Sequence, residues 1–389
     1  MTELAPVQDG VLDPILGDPW VTWLLETARE RVGSDVAFLS DFTETEQRIL
    51  AVSGDLDAVA IAAGTESPIE GSFCVRVLAG LIPPVVTAAA RNPFTRDLAG
   101  TTGGIRSYVG APIRTAAGRA LGMLCCLGSG DDARLDAESA RFVEFLAELV
   151  GQRLTLLDEE AARSRVAAVL TDGAVRPVFQ PIVEIATGRR VGYEALTRFD
   201  CADTTTVFTE AALSGRGVEL ERLALQATLD ALDRHPQDVP VALNLSPEAL
   251  LTPAVLDLLL TPRRQVIGVE ITEHRPVEDY GPLLKVRQRL RRAGVPVSVD
   301  DAGAGYASLR HVLRLQPDII KIDAAIVSGV HTDTAKQALV AALVTFADDT
   351  GADVVAEGVE HRAESDLLAA RGVHLGQGWL YGRPEPLEA

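Results

Sequence analysis

From about Val175 onward the chain repeats one pattern, and that pattern restricts its fold more than any other feature. Apolar, β-branched runs occur at PVFQPIVEI, RRVGYEALTRF, VPVALNLS, VIGVEITE, VPVSVDD, DIIKID, DVVAEGVE and HLGQGWLYG, giving eight candidate strands. Most are followed by a helical pattern, such as PEALLTPAVLDLLL after the third and KQALVAALVTFADD after the sixth. Eight strands with intervening helices in about 215 residues predict a TIM-like (β/α)8 barrel. The first two runs are joined only by ATGRR, a hairpin-length turn, so the first strand is expected to run antiparallel to the rest. A doubly wound open sheet gives the same alternation, but no glycine-rich phosphate loop follows the first strand.

In a barrel of this kind the active site gathers where the strands end. The second run carries Glu194, the third Asn244, the fourth Glu270 and Glu273, and the fifth Asp300 and Asp301. Lys321 and Asp323 follow on the sixth, Glu357 and Glu360 on the seventh, and Gln377 on the eighth. Carboxylates inside apolar runs are costly to bury, and one lysine cannot neutralise so many of them. Divalent cations answer this economically, and an oxygen-only donor set suits Mg²⁺ or Mn²⁺ better than zinc. Two such ions can activate a water and stabilise the leaving oxygen of a phosphodiester. Helix N-caps are the competing explanation, but capping does not account for Glu194, Glu270 and Glu357 within strands.

Charge limits the partners. The formal net charge is −19, which repels duplex nucleic acid and anionic lipid, so a phosphate ligand needs a local device to hold it. No apolar run reaches transmembrane length, and the start, MTELAPVQDGVLDPIL, lacks the basic region of a signal peptide. The expectation is a cytoplasmic protein without membrane insertion. Cys74, Cys125, Cys126 and Cys201 match no zinc spacing and are expected as buried free thiols.

The run FQPIVEIATGRRVGYEALTRF resembles the opening of EAL-domain c-di-GMP phosphodiesterases, whose signature triplet is here Glu194-Ala195-Leu196. The similarity continues in order through ALNLSPEAL, VEITE, VDDAGAGYASL, PDIIKID, VVAEGVE and QGWLYGRP, from about Pro177 to Pro384. It implies hydrolysis of cyclic di-GMP to linear pGpG by a two-metal mechanism. It also implies Glu194, Asn244, Glu270 and Asp300 as ligands of one metal, with Asp300 bridging and Asp301 completing a second site. By the same likeness Lys321 contacts the attacking water and Glu357 acts as base or water-positioner. Glu360 supports the metal site, and Glu273 steadies the loop after the fifth strand. Gln180, Arg198 and Gln377 hold the dinucleotide, with Arg198 facing phosphate. Departures fall beside the pocket: DDAGAG stands for the usual DDFGTG, Phe199 for a common tryptophan, and His274 for a small hydroxyl residue. The segment DCADTTTVFTEAALSGRG is shorter than usual. Gly303 and Gly305 of the DDAGAG turn are retained.

About Pro19 to Leu154 resemble a GAF domain through SFCVRVLAGLIPPVV, IRSYVGAPIRTAAGRALGMLCCLG and LDAESARFVEFLAELV. All six histidines lie beyond residue 230, which removes a histidine-ligated haem or bilin; the GAF ligand stays open. Cys74 is either an anchor or redox sensor, or a buried thiol; Arg76, Arg106 and Tyr108 either reach a pocket or serve the surface. Between the halves, roughly Leu135 to Leu170 reads as one helix with Phe142, Phe145, Leu146, Leu149, Leu156 and Leu157 on an apolar stripe. That stripe either packs on the first domain or pairs with a second copy in a homodimer. The expected domains are a GAF-like sensor at 19–154, a linking helix at 155–170 and an EAL barrel at 171–389. Three functions compete: a sensor-regulated phosphodiesterase, a catalytically silent c-di-GMP receptor signalling to a protein partner, and a scaffold without nucleotide. The complete acid set favours the first, and Gln180, Arg198 and Lys321 speak against the last.

Overall fold

The computed structural model describes residues 10–59, 61–115, 118–272, 277, 279–302 and 306–387, without the side chains of Asp301 and 306–309. Glu273, His274, Gly303, Ala304 and Gly305 lie outside the described residues. The chain forms two compact units that divide between Ala161 and Ala162.

The first unit is built on a six-stranded sheet: β1 (Val36–Phe42), β2 (Glu46–Gly54), β3 (Glu66–Pro68), β4 (Val85–Val86), β5 (Ser107–Arg114) and β6 (Ala120–Gly128). Its order is β3-β2-β1-β6-β5-β4, with every pairing antiparallel. The central strands are buried on both faces, so β6, and β1 as far as Leu39, read as continuous apolar runs rather than alternating ones. One face packs on helix Pro19–Val32, which starts at an Asp18 cap and ends at Gly33 in the left-handed conformation. Val143, Leu146, Ala147, Val150 and Leu154 of helix Ala137–Asp172 join the same core. Phe145 and Leu156 of that helix remain exposed. The opposite face holds a second core containing Phe38, Phe73, Cys74, Tyr108, Met123 and Cys125. Cys201 departs from the expected buried thiols: it lies in the loop after the second barrel strand and is exposed.

In the second unit β7 (Arg176–Glu184), β8 (Arg190–Arg198), β9 (Val241–Leu245), β10 (Ile267–Ile271), β11 (Val297–Ala302), β12 (Ile319–Ile322), β13 (Asp353–Ala356) and β14 (Leu375–Gln377) close into a barrel. The circuit runs β7-β8-β9-β10-β11-β12-β13-β14 and returns to β7. β7 is antiparallel to both neighbours, β8 and β14, and all other pairings are parallel. The short Thr187–Gly188 turn imposes that reversal, because a parallel neighbour would need a crossover. Each strand faces helices on one side and the barrel interior on the other, so even the five residues of β10 are all buried, Glu270 among them.

Candidate active site

Registration across the barrel gathers the polar side chains at one level. Gln180 pairs with Glu194 between β7 and β8, and Asn244 pairs with Glu270 between β9 and β10. On the closing side Gln377 of β14 pairs with Ile182. Gly378 makes that closure possible: with φ at +153°, a Cβ there would stand 2.3 Å from the Val359 backbone. Glycine lets the chain lie against Val359, whose amide donates to the Gln377 carbonyl at 3.0 Å.

Lys321 occupies the centre and is 2% exposed. Its Nζ lies 2.5 Å from Glu357 Oε1, 3.3 Å from Glu194 Oε2 and 3.7 Å from Asp300 Oδ1, and it also bonds Glu270 Oε1. Glu194 is held from two further sides. Asn244 Nδ2 donates to its Oε1 at 2.6 Å and Gln377 Nε2 to its Oε2 at 2.5 Å. Gln377 Nε2 also reaches Gln180 Oε1 at 3.0 Å, while Gln180 Nε2 donates to the Gly382 carbonyl at 3.1 Å.

This network does not balance its charge. Among the described residues, four carboxylates face one ammonium, an excess of three negative charges if all ionise. Burial pushes the Glu270 carboxyl well above its ordinary range, although Lys321 opposes the shift; Glu194, Asp300 and Glu357 raise it further. Burial likewise raises Glu357, again against Lys321, with Asp300 and Glu194 adding repulsion. Lys321 moves up despite its burial, because the surrounding carboxylates hold its proton. Glu270 Oε2 and Gln377 Oε1 are buried and have no hydrogen-bond partner among the described residues. Among those residues, Glu194, Glu270 and Glu357 each bring one carboxylate oxygen within 4.8 Å of the others. A bare carboxylate oxygen, surplus negative charge and an all-oxygen donor set together fit a hard divalent cation.

The other sequence-derived residues fall as follows. Asp300 joins the cluster through Lys321; the Asp301 side chain and Glu273 lie outside the described residues. Glu360 is exposed, and its amide donates to Glu364 Oε2 at 3.1 Å. Arg198, half-buried, donates from Nη1 to the Thr197 carbonyl at 2.8 Å. Asp323 is a helix cap, accepting from the Ala325 amide at 2.7 Å.

Sequence reasoning missed two supports. Glu221 accepts from the Ser246 amide and hydroxyl, both at 2.7 Å, anchoring the turn that follows Asn244. Glu364 accepts from the Gly329 amide at 2.8 Å and the His361 amide at 3.0 Å, tying down the segment after Glu357. Both sit in helices whose periodicity marks them only as polar-face residues. A groove of about 600 Å³ beside Asn244, lined by Phe208, Leu213, Glu221, Ser246 and Thr272, was likewise not visible in the pattern.

Both units match known domain families. The EAL domain family model matches residues 162–384 and the GAF domain model residues 22–155. The probable cyclic di-GMP phosphodiesterase PdeB of Escherichia coli is 31% identical over 227 residues, covering 54% of this chain and 42% of its own. The E. coli cyclic di-GMP phosphodiesterase PdeL is 28% identical over 236 residues, covering 57% of this chain and 65% of its own. The chain thus spans about two fifths of PdeB's length. A solved complex of Klebsiella pneumoniae BlrP1 with manganese and cyclic di-GMP is 34% identical, with a TM-score of 0.50, covering 55% of this chain and 56% of that one. An EAL domain protein from Listeria monocytogenes shares the fold at 23% identity and a TM-score of 0.53, covering 58% of this chain and 94% of that one.

Proposed function

The chain belongs to the EAL domain family, and from that premise we propose that its barrel hydrolyses cyclic di-GMP to linear pGpG with two Mg²⁺ or Mn²⁺ ions. The observation that carries this reading is the surplus negative charge around Lys321, with a buried Glu270 oxygen left bare. The names of PdeB and PdeL support the substrate, and the BlrP1 complex supports manganese.

Glu194, Asn244, Glu270 and Asp300 would hold one cation, and Asp300 with Asp301 the other. Bound cations supply charge neutralisation on the phosphodiester and lower the pKa of an attacking water. The chain's own residues do the remaining work. Asn244 and Gln377 fix both oxygens of Glu194, so this ligand is oriented before substrate arrives. Lys321 holds Glu357 at 2.5 Å, which places side by side a proton donor and a proton acceptor that would serve an attacking water. Gln180 and Gln377 form an amide wall that orients the dinucleotide, and Arg198 takes a phosphate oxygen by releasing the Thr197 carbonyl. Glu360 would support the metal site, and Glu273 would steady the loop after the fifth strand.

The GAF unit sets the barrel's rate, and the protein works as a homodimer in the cytoplasm. Phe145 and Leu156, exposed on the long helix, support a pairing surface, while Phe142 and Leu149 pack partly against the first unit's core. The direct test incubates the purified chain with cyclic di-GMP and Mn²⁺ and resolves products by chromatography. Linear pGpG from the wild type and none from Glu194→Ala is the expected result. Binding without product, whichever cation is supplied, would replace the enzyme with a receptor.

A further inference from the structure

The second core of the sensor unit contains a line of polar side chains where packing alone would place apolar ones. Cys125 on β6 lies opposite Gly110 on β5 and Phe38 on β1. Helix Phe73–Leu78 brings Cys74 over it, and the two sulfurs stand 3.2 Å apart. Both residues are buried, with Cys74 2% and Cys125 0% exposed. Gln47 Nε2 contacts Cys74 Sγ at 3.1 Å and Ser40 Oγ at 2.9 Å, while its carbonyl accepts from the Ser72 hydroxyl. The Tyr108 hydroxyl lies 3.2 Å from Cys125 Sγ. Gly110 leaves the room for this arrangement, since a Cβ there would sit 2.2 Å from the Tyr108 oxygen and 2.9 Å from Cys125 Sγ.

We propose that Cys74 and Cys125 are a modification site: a dithiol that hydrogen peroxide oxidises to an intramolecular disulfide. Bond formation needs the sulfurs to close by only about 1.2 Å, to the ~2.05 Å of an S–S bond. The two thiols are unequal. Burial raises Cys74, but contacts with Cys125, Tyr108, Gln47 and Ser72 outweigh it and hold its thiol below the ordinary value. Burial, with the neighbouring Cys74, drives Cys125 well up. Gln47 Nε2 donates to Cys74 Sγ, and Cys74 sits in the first turn of its helix, so Cys74 is the attacking sulfur and Cys125 the resolving one. Access comes from local opening of a helix only six residues long.

The chemistry balances. Cys74 thiolate attacks one peroxide oxygen, the O–O bond breaks, and Cys74 becomes a sulfenic acid as the released hydroxide takes a proton to become water. Cys125 then attacks the Cys74 sulfur, the S–O bond breaks, and its thiol proton leaves with the hydroxide as a second water. Two electrons and two protons pass from the thiols to one peroxide, giving one disulfide. Cys126 belongs to the opposite face of the sheet, where burial pushes its thiol up to about 12, so it takes no part.

The site is independent of hydrolysis by the barrel. The full chain is treated with hydrogen peroxide, blocked with N-ethylmaleimide, digested without reduction and mapped by mass spectrometry. The expected product is a cross-linked peptide holding Cys74 and Cys125, lighter by two hydrogen atoms and restored by dithiothreitol. In Cys125→Ser the link disappears and Cys74 is trapped by dimedone as the sulfenic acid. If peroxide at doses that oxidise exposed Cys201 leaves both residues as thiols, the proposal is wrong. It is equally wrong if wild-type Cys74 proceeds to the sulfinic acid beside unmodified Cys125. The wild-type map decides this by itself, even if the variant does not fold.

Discussion

The two units each bury a polar cluster, and they resolve it in opposite ways. In the first unit, Ser40, Gln47, Ser72, Cys74, Cys125 and Tyr108 are neutral groups that meet one another's hydrogen-bonding needs. In the barrel, Glu194, Glu270, Asp300 and Glu357 crowd one lysine, and an oxygen of Glu270 finds no partner among the described residues. A neutral cluster closed on itself is compatible with stability and with slow covalent chemistry. A cluster with surplus charge is stable only if it takes up protons or cations. The second kind therefore points to a ligand from the protein's own electrostatics, and the first does not.

Substitutions separate the two cases. The largest effect is expected from Glu270→Ala, which removes a cation ligand. Losing several kcal/mol of charge stabilisation lowers kcat by on the order of 10³-fold, whereas Gln47→Leu in the first unit leaves the cation requirement unchanged. Steady-state rates against Mn²⁺ concentration check both. Next comes Lys321→Met, which leaves four carboxylates facing one another without a cation. Breaking a buried pair in this way costs about 3–5 kcal/mol, seen as a lower urea midpoint for the cation-free barrel and partly restored by Mn²⁺. Tyr108→Phe removes one hydrogen bond from the neutral cluster and costs about 1 kcal/mol, by the same measurement. An equal loss for the lysine and the tyrosine would erase the distinction between the clusters.

A smaller effect concerns pH. Glu270 and Glu357 have raised values in the folded state, so folding takes up protons. Their contribution to stability is complete below the unfolded carboxyl value of about 4.3 and is lost as pH rises through the folded values. Cation-free protein therefore loses barrel stability on going from acid toward neutrality, and Mn²⁺ flattens that slope by taking the protons' place. Thermal melts across pH, with and without the cation, read this directly. A cation-free barrel that gains stability over that range would contradict it.

The barrel was legible because its physics is local and repeated. Strand-length apolar runs alternate with helical periodicity, and acids such as Glu270 stand out within them. The antiparallel first strand was legible from one short turn. What sequence could not show are contacts made between distant elements. Cys74 and Cys125 lie 51 residues apart, on a helix and a strand, and nothing in their spacing joins them. Gln377 and Glu194 meet 183 residues apart, only because β7 closes the barrel. Asp323 shows the converse limit: at a strand end it resembles a site acid, yet its carboxylate is used as a helix cap. The exposure of Cys201 is not legible either, because it depends on the course of a loop with no periodicity.

The central claim is that the charge surplus around Lys321 is resolved by divalent cations. Isothermal titration of Mn²⁺ into metal-stripped protein, beside Glu270→Gln, tests it most directly. The account predicts saturable binding by the wild type, with proton release as Glu270 and Glu357 give up protons to the incoming cation, and binding weakened at least ~10-fold in the variant. No binding by the wild type, or equal binding by both proteins, would contradict it.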